Sequence, residues 1–227
     1  MNGTRPRQAI KDSAFWQAYN RSRYEILFYA LLLTLVLMPT AAMIGLPSVL
    51  IKFLLAACLL AAVMPNGTKH SRYILLAAVG ALIIARFLSD YGVLPVKSAL
   101  ALALGGVVGL LSAAGALRFA VTAKTVNSEV LFAALSTYLL AGLFCGQIYW
   151  AIESLWPGSL VGPDPTSELT TIYYSFVTLA TLGYGDYLPR TDIARGVATF
   201  EVIGGQLFLA VMVARLIGAF GDGKAGS

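Results

Sequence analysis

The chain has 227 residues, of which 58% are apolar and only 12% charged, and its mean hydropathy is +0.77. A soluble domain of that length has too little interior to bury so much apolar surface, so a lipid bilayer is the expected solvent. The net charge of +5 does not point to nucleic acid, because the Lys and Arg residues fall in short segments between apolar runs and form no single basic face.

A hydrocarbon layer about 30 Å thick is crossed by roughly 20 helical residues. Ahead of the first apolar run, Phe15 to Tyr24 mixes aromatic with basic side chains and reads as an interfacial collar that anchors the chain at the membrane surface. The hydrophobic runs then predict membrane helices at Ile26 to Ile44, Val49 to Val63, Tyr73 to Leu88, Ala99 to Leu117, Val130 to Ile152 and Ile193 to Phe220. A shorter helix fits Glu168 to Ala180, with Thr166 or Ser167 as its cap and an acidic first turn. Pro39, Pro47, Pro65 and Pro95 are expected near helix ends or in connections, and Pro157, Pro163 and Pro165 crowd the loop before the short helix. The expected fold is an all-α membrane protein of six transmembrane helices plus one re-entrant helix.

Placing the N-terminus in the cytosol puts Arg5, Arg7, Lys11, Arg21, Arg23, Lys69, Arg72, Arg118, Lys124, Arg215 and Lys224 on the inner side, eleven of the 16 basic residues. That asymmetry is the positive-inside pattern. It predicts a multi-pass protein of the cell membrane with both termini cytosolic and the loop between the last two long helices outside. The length of the first apolar run and this topology argue against a cleaved signal peptide.

Cys58 and Cys145 each lie in an apolar run, where a free thiol packs as a small hydrophobe, and no disulfide framework or zinc spacing is present. His70 is the only histidine and sits beside Lys69 in a short connection, without a triad or metal partner, so no enzymatic centre is expected.

The segment Leu169-Thr170-Thr171-Ile172-Tyr173-Tyr174-Ser175-Phe176-Val177-Thr178-Leu179-Ala180 leads directly into Thr181-Leu182-Gly183-Tyr184-Gly185-Asp186. A Gly-Tyr-Gly in an ordinary loop is only a turn. Here it follows a short helix and lies between two full-length spans, and irregular backbone at membrane depth is tolerated only where protein buries it or it lines a water-filled path.

From about Val130 to Phe220 the chain resembles the pore domain of tetrameric potassium channels, with an outer helix, a pore helix, a filter and an inner helix in that order. The resemblance implies a homotetramer in the bilayer around a central pore, with K+ bound in the filter and no other cofactor. It implies that the ion ligands are the carbonyls of Thr181, Leu182, Gly183 and Tyr184 plus the Thr181 hydroxyl, because a ring of such oxygens replaces the ion's hydration shell. Successive carbonyls face one axis only if the backbone alternates between conformations, and Gly183 and Gly185 accept positive φ without a Cβ penalty. On this reading the chain divides into an N-terminal segment (1–25), a four-helix membrane domain (26–117), a linker (118–129), the pore domain (130–220) and a tail (221–227).

Around the filter, Leu182 stands where Val or Ile is more usual, and Tyr173 and Tyr174 stand where many relatives carry tryptophan. The two phenols have the length to support the filter by reaching Asp186 or a neighbouring Tyr184. Four pore-helix C-termini, each carrying about half a negative charge, would stabilise a cation at mid-membrane. Glu153, Asp164, Glu168, Asp186 and Asp192 outnumber Arg190 and Arg195 in the outer loop, an acidic excess that either concentrates cations at the mouth or is an ordinary solvated surface. An ungapped alignment from Asp186 puts Gly205 at the family's hinge position, although Gly204 and Gly205 also suit close helix packing. Leu209, Val213 and Ile217 follow at helical spacing, as an apolar gate that closes by dewetting or as a packing stripe.

Two charges sit inside apolar runs. Arg86 has Asp90 one turn away, whereas Glu201 has no partner that the sequence names. The fourth long helix carries no charge from Ser98 to Leu117, so weak voltage dependence is expected. The expected function is passive, K+-selective conduction. The competing readings are a weakly selective cation channel and a non-conducting membrane scaffold with a vestigial pore loop.

Overall fold

Long apolar runs fold here as single helices, even where glycine or Pro39 lies inside them. The computed structural model describes residues 14–45, 77, 80, 98–123 and 125–222. Apart from helical positions 77 and 80, the expected helices at Val49 to Val63 and Tyr73 to Leu88 lie outside the described residues, as do Cys58, His70, Arg86 and Asp90. In chain order the described elements are α1 (Ala14–Ile44), α2 (Ser98–Thr122), α3 (Ser128–Leu155), β1 (Leu160–Val161), α4 (Glu168–Leu179), β2 (Leu188–Pro189) and α5 (Asp192–Asp222).

Among the described residues, four segments are long and apolar enough to cross a membrane: Ser22–Ala41, Ala99–Thr122, Ser128–Leu155 and Asp192–Arg215. α4 has 12 residues and rises only about 18 Å, too little to cross. Among the described residues, the one pairing of strands is that of β1 with β2, antiparallel, Leu160 opposite Pro189 and Val161 opposite Leu188.

α1 ends at Ile44, where the sequence placed the end of the first membrane helix. The aromatic and basic stretch Phe15 to Tyr24 is helical and continuous with it, because no glycine or proline interrupts Phe15 to Met38 and the helix runs unbroken from Ala14. Pro39 lies inside α1 close to its C-terminal end. Proline there removes one backbone donor, and the Thr40 hydroxyl lies within hydrogen-bond distance of the Val36 and Leu37 carbonyls, at 2.9 and 3.0 Å.

At one end of the bundle four helices are clamped together. Asn127 caps α3 by accepting the amide of Val130 at 3.0 Å, and Glu129 fills the acidic first turn. Glu129 also accepts from Arg23 Nε at 3.2 Å. The Arg23 guanidinium lies over the rings of Tyr24 and Phe119, which stack at 5.0 Å. Arg215, from α5, donates to the carbonyls of Val121 and Ala123 at the end of α2.

Small residues let the helices approach. A Cβ at Gly109 of α2 would lie 2.1 Å from the Phe144 ring of α3. In the same way Gly142 and Gly146 of α3 receive Phe176 and Ile172 of α4. Leu27, Leu31, Ala116, Leu140, Leu143 and Phe144 form the buried centre, and α4 is held on its rim.

Candidate functional site

The short helix α4 ends where the Gly-Tyr-Gly loop begins, and its own sequence fixes both ends. Ser167 caps it in a reciprocal box, accepting the Thr170 amide at 3.2 Å while Thr170 Oγ1 accepts the Ser167 amide at 2.7 Å. At the other end the chain folds back on the helix. The Thr181 amide donates to Thr178 O at 3.0 Å, and the Leu182 amide donates to Val177 O at 2.9 Å. Part of the negative helix end expected to face a cation is thereby used within the chain.

The loop then alternates. Thr181, Gly183 and Gly185 have φ of 56°, 59° and 77°, while Leu182 and Tyr184 between them are not left-handed. Among the described residues, no donor is bonded to any carbonyl from Thr181 to Gly185, and residues 181–186 are exposed in the single chain. Left-handed backbone is unremarkable at the two glycines. At Thr181 it is costly, because a β-branched side chain disfavours that region, and such strain is held by surrounding structure. Nothing in the residue type signalled it. What holds it here is the pair of amide bonds back onto α4.

Of the expected supports, Tyr173 donates its hydroxyl to Asp186 Oδ2 at 2.8 Å. This hydrogen bond pushes the phenol's pKa up to about 12. Tyr174 turns inward, buried, with its ring edge-on to Tyr149 of α3 at 4.9 Å. Tyr187, just past the loop, is buried against Gly162, where a Cβ would lie 2.3 Å from its ring.

Glu201 of α5 is 3% exposed. It accepts from the Tyr149 hydroxyl at 2.8 Å and lies 2.5 Å from Ser175 Oγ, so one carboxyl touches α3 and α4 at once. Tyr149 and Ser175 were not singled out from sequence, since an apolar run hides which hydroxyl meets which carboxyl. Glu153 has a structural use, accepting the amides of Gly158 at 2.8 Å and Leu160 at 2.9 Å and so shaping the turn before β1. Asp192 lies 3.7 Å from Arg195. The outer acidic residues are therefore not all free to act on ions.

α5 runs without a break through Gly204 and Gly205. A Cβ at Gly205 would meet Leu179 O at 2.8 Å, so this glycine admits the end of α4, whereas Gly204 has nothing within 4 Å. Leu209, Val213 and Ile217 are all exposed in the single chain.

Comparison with known proteins adds to this geometry. Residues 129–221 match the family model described as an ion channel. Over 89 residues, 39% of this chain, it is 33% identical to the inward rectifier potassium channel Kirbac3.1 of Paramagnetospirillum magnetotacticum. Residues 129–221 are thus similar to an ion channel domain. On the resemblance seen in the sequence, α3 corresponds to the outer helix, α4 to the pore helix and α5 to the inner helix. A second relative, a protein of Rhodopseudomonas palustris provisionally named a potassium channel, is 39% identical over 51 residues, 22% of this chain. The matches span only 26% and 12% of those two relatives. No solved structure matches the chain. The matched family is one of ion channels and not of enzymes, and the chain is a membrane protein.

Proposed function

We propose that four copies of this chain surround one axis and conduct K+ passively and selectively, with the carbonyls of Thr181, Leu182, Gly183 and Tyr184 and the Thr181 hydroxyl as ion ligands. The observation that carries this reading is the alternation of left-handed backbone at Thr181, Gly183 and Gly185 together with carbonyls that no donor among the described residues satisfies. Four such loops supply the oxygens a dehydrated ion needs, and the ion supplies the partner that the oxygens lack.

Assembly is supported by what a single chain leaves open. Only 17% of the α5 span is buried, the least of the four spans. Tyr184 is 66% exposed, and a cavity of about 480 Å³ lies between residues 181–185 and α5, lined by Thr178, Gly183, Tyr187 and Val202 among others. A neighbouring copy fills such space. Gly205 serves as a hinge and Leu209, Val213 and Ile217 as the inner gate, in a multi-pass protein of the plasma membrane with cytosolic termini. Both relatives bear the names of potassium channels, which agrees with this reading.

Potassium flux from liposomes holding the purified full chain tests the proposal. Flux that disappears in Gly183→Val while the tetramer persists supports it, because valine resists the left-handed backbone that Gly183 adopts at φ 59°. Wild-type liposomes as tight to potassium as empty ones would contradict it.

A further inference from the structure

Glu201 is a carboxyl group in the apolar part of the inner helix, and among the described residues it has no cationic partner. Burying such a group is costly unless hydrogen bonds compensate, so its neighbours are informative. Tyr149 Oη is 2.8 Å from one oxygen and Ser175 Oγ 2.5 Å from the other. Ser175 Oγ lies 2.7 Å from Gly142 O of the outer helix as well. The serine has one proton and two acceptors, so it ties the pore helix to the outer helix and the inner helix through a single atom.

The same cluster leads to the filter. Tyr149 presents its ring to Tyr174, and Tyr174 and Thr178, one turn apart on α4, line the same cavity. Thr178 O receives the Thr181 amide at the strained entry of the loop. Between the inner helix and the first ion ligand there is thus a series of neighbouring residues: Glu201, Tyr149, Tyr174, Thr178, Thr181.

We propose that Glu201 is a positioning residue for conduction, bridging the inner, outer and pore helices through Ser175 and Tyr149 so that movement of the inner helix is transmitted to the filter. The proposal rests on reading residues 181–186 as the filter. A plain packing role would be met by any side chain of similar volume. A bridging role requires hydrogen bonds to both hydroxyls, which glutamine can make: its oxygen accepts from Tyr149 and its N–H donates to Ser175, leaving the serine proton for Gly142 O.

The test measures K+ flux, and its decay with time at low and high K+, from liposomes holding the full chain. Glu201→Gln should keep flux and decay within about twofold of wild type. Glu201→Leu, of matched bulk, should accelerate decay at least tenfold at low K+, with high K+ restoring much of it. Tyr149→Phe removes one hydroxyl without opening a cavity and should accelerate decay a few-fold, which keeps the test valid if Glu201→Leu does not fold. Wild-type decay in Glu201→Leu or in Tyr149→Phe overturns the proposal, as does a Glu201→Gln variant as impaired as Glu201→Leu. If the wild-type chain carries no K+ flux, the channel reading fails separately. The bridge is then judged by a double-mutant cycle of Ser175→Ala and Glu201→Gln on tetramer melting, where non-additivity sustains it and additivity overturns it.

Discussion

The hydroxyl of Tyr173 donates to Oδ2 of Asp186 at 2.8 Å, fastening the first half of α4 to the last residue of the loop 181–186. The phenol suits this position because its reach ends in a donor that meets the Asp186 carboxyl directly. Tyr173→Phe keeps the ring and removes the bond. Filter flux should then decay a few-fold faster, with unitary selectivity preserved, as read in liposome flux or bilayer currents.

The pH dependence of that contact has a definite sign. The hydrogen bond to Asp186 stabilises the protonated phenol and pushes its pKa up to about 12, above the ordinary value near 10. The contribution is fully present below the unfolded value and fades as pH rises from about 10 towards 12. Decay rates measured at pH 7 and pH 9 should therefore agree, and a difference that vanishes in Tyr173→Phe would count against this assignment.

Gly204 and Gly205 are adjacent and should respond in opposite ways. A methyl group at Gly205 meets the Leu179 carbonyl at 2.8 Å, so Gly205→Ala should destabilise the packing of α5 on α4 by about 1–3 kcal/mol through overpacking. Gly204 faces open space, and Gly204→Ala should be neutral or stabilise the helix by about 0.5–1 kcal/mol. Thermal melting of the purified protein distinguishes the pair, and equal shifts would contradict the packing argument.

Voltage should do little to the open probability. α2 carries no charged residue before Arg118, and moving one elementary charge through 100 mV is worth about 2.3 kcal/mol, so this helix supplies almost no gating work. A conductance–voltage curve in planar bilayers is expected to be shallow. Steep sigmoidal activation would require a charged element elsewhere.

The clamp between Arg23 and Glu129 is half-buried and shared with two aromatic rings. Arg23→Ala should cost about 1–2 kcal/mol of stability, more than an exposed ion pair, because cation–π contact is lost with the charge. Melting of Arg23→Ala against Glu129→Gln would separate the two contributions.

What was legible in the sequence follows from how each feature is encoded. Long apolar runs fix membrane helices through burial alone, so α2, α3 and α5 were predictable to within a few residues. Gly183 and Gly185 were identifiable because only glycine tolerates left-handed φ at no cost, whereas the same conformation at Thr181 is imposed by tertiary contacts and has no compositional mark. The end of α1 at Ile44, with Pro39 close to it, was legible from where the apolar run stops, whereas the joining of Phe15 to Tyr24 to the same helix depends only on the absence of a breaker between them. The partners of Glu201 could not be read, since Tyr149 and Ser175 come from helices whose relative rotation only the fold determines.

The central claim is that the oxygens of residues 181–184 select potassium. Reversal potentials of the purified chain in planar bilayers, with potassium on one side and sodium on the other, test it most directly. The account predicts a potential close to the potassium equilibrium value, and a reversal near 0 mV would contradict it.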